Sequence, residues 1–279
     1  MEPSKQEIIN EFTKSLKKLC NSMGYVLIEN EMIEDLEKER NQLRFLKNFN
    51  INNFDMVSKN IDKSKSQIFQ DIFVLSELNF KKNGFFVEFG AADGLIGSNS
   101  FLLEKEFNWN GILSEPAFFW IDSLKKNRST YISNKCVWSK SGEKLIFREI
   151  DHAKQLSTLE SFKDLDKHSK ERIDGKNYYV ESISLNDLLE EYKAPKKIDY
   201  ISIDTEGSEL EIIKKFDFEK YSVKIFTIEH NFTENRQLIY DLMIENGYVR
   251  KYESLSNMDD WYVLDESKKV IENKSNFAF

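Results

Sequence analysis

From residue 85 to residue 264 the chain repeats one pattern: a short apolar run, a turn, then a segment with apolar residues at helical spacing. Residues 85–89, 198–203 and 223–228 read as buried strands, with 111–115 and 129–133 as their companions. Residues 69–78, 100–107, 183–192 and 209–215 read as helices. Leu238, Ile239, Leu242 and Met243 mark one more, closed by Gly247. Such alternation places parallel strands in one sheet with helices on both faces, because a parallel pair needs a long crossover. The last two runs, 248–253 and 261–264, lie too close in sequence for a crossover and predict an antiparallel edge.

The remaining stretches constrain less. Residues 5–50 carry Ile8, Ile9, Phe12, Leu16 and Leu19, then Ile33, Leu36, Leu43 and Leu46, at helical spacing in a Glu/Lys-rich context. That narrow stripe fits packing on its own domain, or a zipper between two copies of the chain as a homo-oligomer. The expected organisation is an N-terminal helical extension at 1–64 and an α/β domain at 65–279. Residues 145–147 suggest one more strand, and residues 152–177 are polar and uneven, like a mobile insertion. The net charge of −8 and the absence of a basic, aromatic-laced stripe disfavour nucleic acid as a partner. No window approaches the ~18 apolar residues of a membrane span. Cys20 and Cys136 suggest a reducing compartment, so the expected location is cytoplasmic.

Glu88-Phe89-Gly90-Ala91-Ala92-Asp93-Gly94 follows the first strand, where an open parallel sheet receives its ligand. The full G-x-G-x-x-G of dinucleotide binders is missing, and Glu88 and Asp93 would repel a pyrophosphate. An acidic turn suits a cationic ligand such as S-adenosylmethionine, with its sulfonium and ammonium. Glu115, at the end of the next strand, is placed to take the ribose hydroxyls.

E-F-G-A-A-D-G-L-I-G-S-N-S, then G-I-L-S-E-P, then I-D-Y-I-S-I-D-T-E-G-S-E-L-E-I-I resemble the FkbM family of S-adenosylmethionine-dependent methyltransferases, over roughly residues 66–264. The resemblance implies the class I, Rossmann-like methyltransferase fold: a seven-stranded, mostly parallel sheet with the last strand inserted antiparallel. It implies that Glu88, Gly90, Ala91 and Gly94 line the methionine end, with Ser98 and Asn99 nearby, that Glu115 holds the ribose, and that Cys136 and Val137 lie near adenine. Gln70 and Asp71 match a segment that closes over the cofactor. The family more often has Asp-x-Gly-Ala-Asn where this chain has Glu88-Phe89-Gly90-Ala91-Ala92. The acid is kept and an amide is lost.

The resemblance also implies O-methylation of a sugar, nucleotide-linked or a glycan building block. Sugar hydroxyls are weak acids, so a base or a metal ion is needed. Asp204 and Glu206 end the fourth core strand, and Glu229 and His230 the fifth. His230, Asp204 and Glu206 are the catalytic candidates. Asp204, Glu229 and His230 could alternatively bind Mg²⁺ or Mn²⁺. Lipid, amide or phosphate-type acceptors remain alternatives. A nicotinamide-dependent sugar-modifying enzyme is disfavoured by the missing glycine fingerprint.

Overall fold

The computed structural model describes residues 53–267 and, ahead of them, 30–49 with positions 14, 17–18, 20 and 22–23. It divides into two compact units, one up to Arg44 and one from Phe45. Positions 14, 17–18, 20 and 22 are helical, and α1 spans Asn30–Asn48 with Leu36 and Leu43 exposed. Ile8, Ile9, Phe12, Leu16 and Leu19 of the expected stripe lie outside the described residues.

The larger unit is built on a seven-stranded sheet. In chain order its members are β1 (Phe85–Phe89), β2 (Asn110–Ser114), β3 (Tyr131–Ser133), β8 (Lys197–Ile203), β9 (Ser222–Glu229), β10 (Tyr248–Lys251) and β11 (Asp259–Leu264). Across the sheet the order is β10-β11-β9-β8-β1-β2-β3. β1, β2, β3, β8 and β9 pair in parallel, and β11 runs against both β9 and β10. This is the order of a class I methyltransferase sheet, with its antiparallel edge made by the β10–β11 pair. β1, β8 and β9 are buried along nearly their whole length because helices cover both faces. Those helices are α2 (Phe54–Asn60), α3 (Gln70–Glu77), α4 (Phe101–Phe107), α5 (Ile121–Asn127), α6 (Leu185–Glu191), α7 (Glu209–Ile213) and α8 (Asn235–Glu245), and a short α9 (Glu253–Ser256) precedes β11. One core, around Val87, Ile201, Phe226 and Met243, fills one face. The other, around Phe73, Phe86, Trp109 and Trp261, fills the opposite face.

Sequence order reverses between β1 and β8, so neighbouring strand ends diverge there and leave a crevice. Gly90 holds its two walls together. Its φ is +75°, and a Cβ at this position would lie 1.6 Å from the Asp204 carbonyl oxygen. Only glycine lets the exit of β1 touch the exit of β8 this closely.

A second sheet, order β4-β7-β5-β6, comprises β4 (Cys136–Trp138), β5 (Lys144–Glu149), β6 (Thr158–Leu159) and β7 (Lys176–Ser184). Here the structure departs from the sequence reading. The helix expected from residue 183 begins at Leu185, because Ser184 caps it by accepting a hydrogen bond from the Asp187 N–H. Residues before it belong to β7, paired antiparallel with β5. The polar stretch 152–177 is also anchored: Arg172 is fully buried within it.

Candidate functional site

The strand ends open into one pocket of ≈ 340 Å³. Glu88, Gly90, Ala91, Ser98, Asn99, Glu115, Cys136 and Val137 all line it, so the structure brings together eight of the eleven residues expected around a cofactor. Gly94 stands off the wall; a Cβ there would meet Leu124 and Arg128.

Glu88 is the keystone of the turn and not a free acid. It accepts from the Asn99 N–H (2.7 Å), the Ser98 hydroxyl (3.0 Å) and the Ser100 hydroxyl. Buried Arg128 approaches it to 3.7 Å while donating to Ser98, Ser100, the Gly94 carbonyl and Glu104. Burial would raise the Glu104 carboxyl, but Arg128 holds it down at about 2. Glu115 likewise braces backbone, accepting from the Ala92 and Ala117 N–H groups at 2.8 Å each. Burial nevertheless pushes its carboxyl up to about 7. Burial also pushes the Cys136 thiol to about 12, which leaves an inert apolar wall and no nucleophile.

Gln70 and Asp71, expected to close over the cofactor, lie outside the pocket wall. Gln70 donates to Asp259 at 2.9 Å, and Asp71 accepts from Ser64, Ser66 and its neighbour's N–H. Both are buried because α3 packs them inward, and Gln67, just ahead of that helix, faces the pocket instead.

The acidic end gathers Asp204, Glu206 and Glu229, which offer carboxylate oxygens within 4.8 Å of one another. His230, proposed from sequence as the third ligand and as a base, does not join them. Successive strand residues face opposite sides, so when Glu229 faces the pocket, His230 faces β11. Its Nε2 lies 3.7 Å from Asp260, and its Nδ1 accepts from the Phe232 N–H. The backbone then turns left-handed at Asn231 (φ 42°), which returns that residue to the pocket wall with Nδ2 3.4 Å from Glu206. Glu209, the first residue of α7, braces the loop before the helix, with one carboxylate oxygen accepting from the Thr205 and Gly207 N–H groups.

Three buried or half-buried acids this close cannot all ionise cheaply. Burial, then the charges of its acidic neighbours, push Asp204 to about 7 and raise Glu206 and Glu229 well above the ordinary carboxylate range. Burial likewise takes Asp259, next to them, to about 8. Arg172 offsets part of this, binding Glu206 at 2.8 Å and Asp166 through two bonds. Among the described residues, Asn99 Oδ1 and Glu229 Oε2 are buried oxygens without a hydrogen-bond partner, both on pocket-lining residues. Acceptors in surplus fit a ligand that brings cationic groups and hydroxyl donors, as S-adenosylmethionine does.

The remaining wall comes from β5 and the stretch between it and β7: Phe147, Lys154 to Ser157, Leu159, Lys167 and His168. His168 lines the pocket. His152 stays exposed outside it, and Trp120 supplies an aromatic wall. Neither Arg128 nor Arg172 carries a motif that marks it in the sequence.

A parallel sheet reversed between β1 and β8, with antiparallel β11 inserted between β9 and β10, a small-residue turn after β1 and an acid after β2, is the arrangement of the class I S-adenosylmethionine-dependent methyltransferases. The chain belongs to the FkbM family: residues 7–261 match the methyltransferase FkbM domain, well beyond the motifs themselves. No curated protein matches it. Its solved structural neighbours include precorrin-6y C5,15-methyltransferase from Geobacter metallireducens (12% identity, 65% of this chain and 71% of that one, TM-score 0.34). They also include ribosomal protein L11 methylase from Lactobacillus delbrueckii subsp. bulgaricus (11%, 70% and 76%, 0.36) and a human methyltransferase 10 domain containing protein (10%, 69% and 78%, 0.31). These likenesses are too slight to bear on substrate. No helix among the described residues is long and apolar enough to cross a membrane.

Proposed function

We propose that the protein methylates a hydroxyl of a sugar, nucleotide-linked or a glycan building block, with Asp204 as general base. The observation that carries this reading is the Asp204–Glu206–Glu229 group facing the pocket beside the glycine turn. S-adenosylmethionine, when bound, supplies a methyl group on a cationic sulfur, so the acceptor oxygen gains that methyl, its proton passes to a carboxylate, and S-adenosylhomocysteine is left. Asp204, with a pKa of about 7, is matched to take such a proton near neutrality. Glu206 is held by Arg172 and Asn231 and is better suited to orient the acceptor. Glu115 and the Ala91–Ala92 turn would hold the adenosine.

The test pairs calorimetric titration of S-adenosylhomocysteine with methyl transfer to a sugar panel. Asp204→Asn should lower turnover about 100- to 1000-fold and leave S-adenosylhomocysteine affinity within about threefold. Wild-type turnover in that variant would remove Asp204 from the chemistry.

A second reading rests on the unpartnered Glu229 Oε2. Asp204, Glu206 and Glu229 are hard oxygen donors that would hold Mg²⁺ or Mn²⁺, which would acidify a coordinated hydroxyl. Full activity in chelator would dismiss it.

A further inference from the structure

The pocket is polarised. Its strand-end wall carries Glu88, Glu115, Asp204, Glu206 and Glu229, whereas the wall from residues 147–168 contributes Lys154, Lys167 and His168 and no acid. Four other cations of this region stand off the pocket and are neutralised: Arg148 and Lys163 by Glu160, Lys176 by Asp151, Arg172 by Asp166 and Glu206. Lys170, exposed and off the pocket wall, forms no ion pair among the described residues. Among the described residues, Lys154 and Lys167 form no ion pair either, yet both line the pocket. Lys154 is held over aromatic rings, 4.4 Å from the Phe119 centroid and 5.9 Å from that of Trp120.

Both lysines sit beside the anchor points of one buried side chain. Arg172 Nε donates to the Leu156 carbonyl at 2.9 Å, two residues from Lys154, and the Arg172 guanidinium grips Asp166, adjacent to Lys167. Asp166 also accepts from the His168 N–H. Three cationic or protonatable groups are thus carried on backbone pinned to the pocket. Lysines on pinned backbone that form no ion pair among the described residues leave that place open to an anion brought by a ligand, although Asp151 lies close enough to feel the Lys154 charge. The cofactor brings positive charge and is drawn to the opposite wall.

We propose that the acceptor is a phosphate-bearing sugar whose anionic group is read by Lys154 and Lys167, with His168 beside them. This rests on the methyltransferase reading above and narrows its acceptor to anionic compounds; neutral sugars are excluded as efficient substrates. Trp120, at the same wall, offers a stacking face to a base or sugar ring.

The experiment is calorimetric titration of the full chain saturated with S-adenosylhomocysteine, using UDP-glucose, glucose 1-phosphate, inorganic pyrophosphate and methyl glucoside as probes. The phosphate-bearing probes should bind and weaken with added salt, and methyl glucoside should not bind. UDP-glucose binding well above glucose 1-phosphate would identify a nucleotide-linked sugar; equal binding would identify a simple sugar phosphate. Lys154→Ala and Lys167→Ala should each weaken probe affinity roughly three- to tenfold and leave S-adenosylhomocysteine affinity within about twofold. Binding of the neutral glycoside as tight as that of the phosphates, no phosphate-bearing probe binding, or unchanged probe affinity in the double variant would each overturn the proposal while leaving the cofactor reading intact. Failure of the wild-type chain to bind S-adenosylhomocysteine would fell both.

Discussion

Replacing Arg172 with methionine tests whether the stretch 152–177 is an integral part of the site. The guanidinium makes four hydrogen bonds, to Leu156 (2.9 Å), to both oxygens of Asp166 (2.8 and 3.1 Å) and to Glu206 (2.8 Å). Asp166 and Glu206 are themselves 2% and 13% exposed, so the substitution strands two carboxylates where water scarcely reaches. Removing one partner of a buried ion pair costs about 3–5 kcal/mol. In a domain of this size that corresponds to a Tm lower by roughly 6–20 °C. The cost can be met by whole-domain unfolding or by opening of this stretch, which connects to the rest through β5 and β7. Scanning fluorimetry reads the first and limited proteolysis within 152–177 reads the second. Arg172→Lys keeps a charge but not the planar fork, and should fall between wild type and Arg172→Met. Because Arg172 counters the rise in the Glu206 pKa, its loss should also move any acid limb of the rate profile that depends on Glu206 to higher pH. A Tm within 2 °C of wild type, together with an unchanged cleavage pattern, would refute the anchoring argument.

Gly90→Ala places a Cβ 1.6 Å from the Asp204 carbonyl at a φ of +75°, so it should abolish soluble expression or weaken S-adenosylhomocysteine binding by more than about 100-fold; near-normal affinity by calorimetry would count against the β1–β8 contact. His230→Ala should lower Tm by several degrees and leave turnover within about threefold, since its ring faces Asp260; lost turnover with cofactor binding preserved would return it to the chemistry. Asp204, Glu115 and Asp259 hold protons up to pH 7–8 that the unfolded chain releases near pH 4, so their contribution to stability is present in acid and is lost as pH rises through those values. The ligand-free Tm should therefore fall between pH 6 and 8, and S-adenosylmethionine should bind more tightly as these acids ionise; a flat Tm and a flat affinity over that range would contradict the burial argument.

The sheet is legible in the sequence where strands are covered on both faces. β1, β8 and β9 announce themselves by short runs rich in Ile, Val and Phe, and Glu88, Gly90 and Glu115 fall where the topology needs them. β7 is hidden because its first half is mostly exposed and its last residues blend into the apolar pattern of α6. At the site, the difference between His230 and Asn231 turns on strand alternation followed by a left-handed residue, which composition does not signal. Arg172 has no local signature at all. It is one cation in a polar stretch, and its partners Glu206 and Leu156 are distant in sequence or carry only a carbonyl.

The joint between Arg172 and Glu206 also bears on how such enzymes diversify. The residues proposed for the cofactor sit on β1, β2 and β4 or on the segments that follow β1 and β2, while the basic wall is borne on a polypeptide excursion between β5 and β7. Such an excursion can be lengthened, shortened or exchanged without disturbing the nucleoside cradle, provided each replacement offers a cation to Glu206. The excursion is thus joined to the strand ends at one fastening, and a designer grafting a foreign excursion onto this scaffold should retain the arginine first and redesign the lysines second.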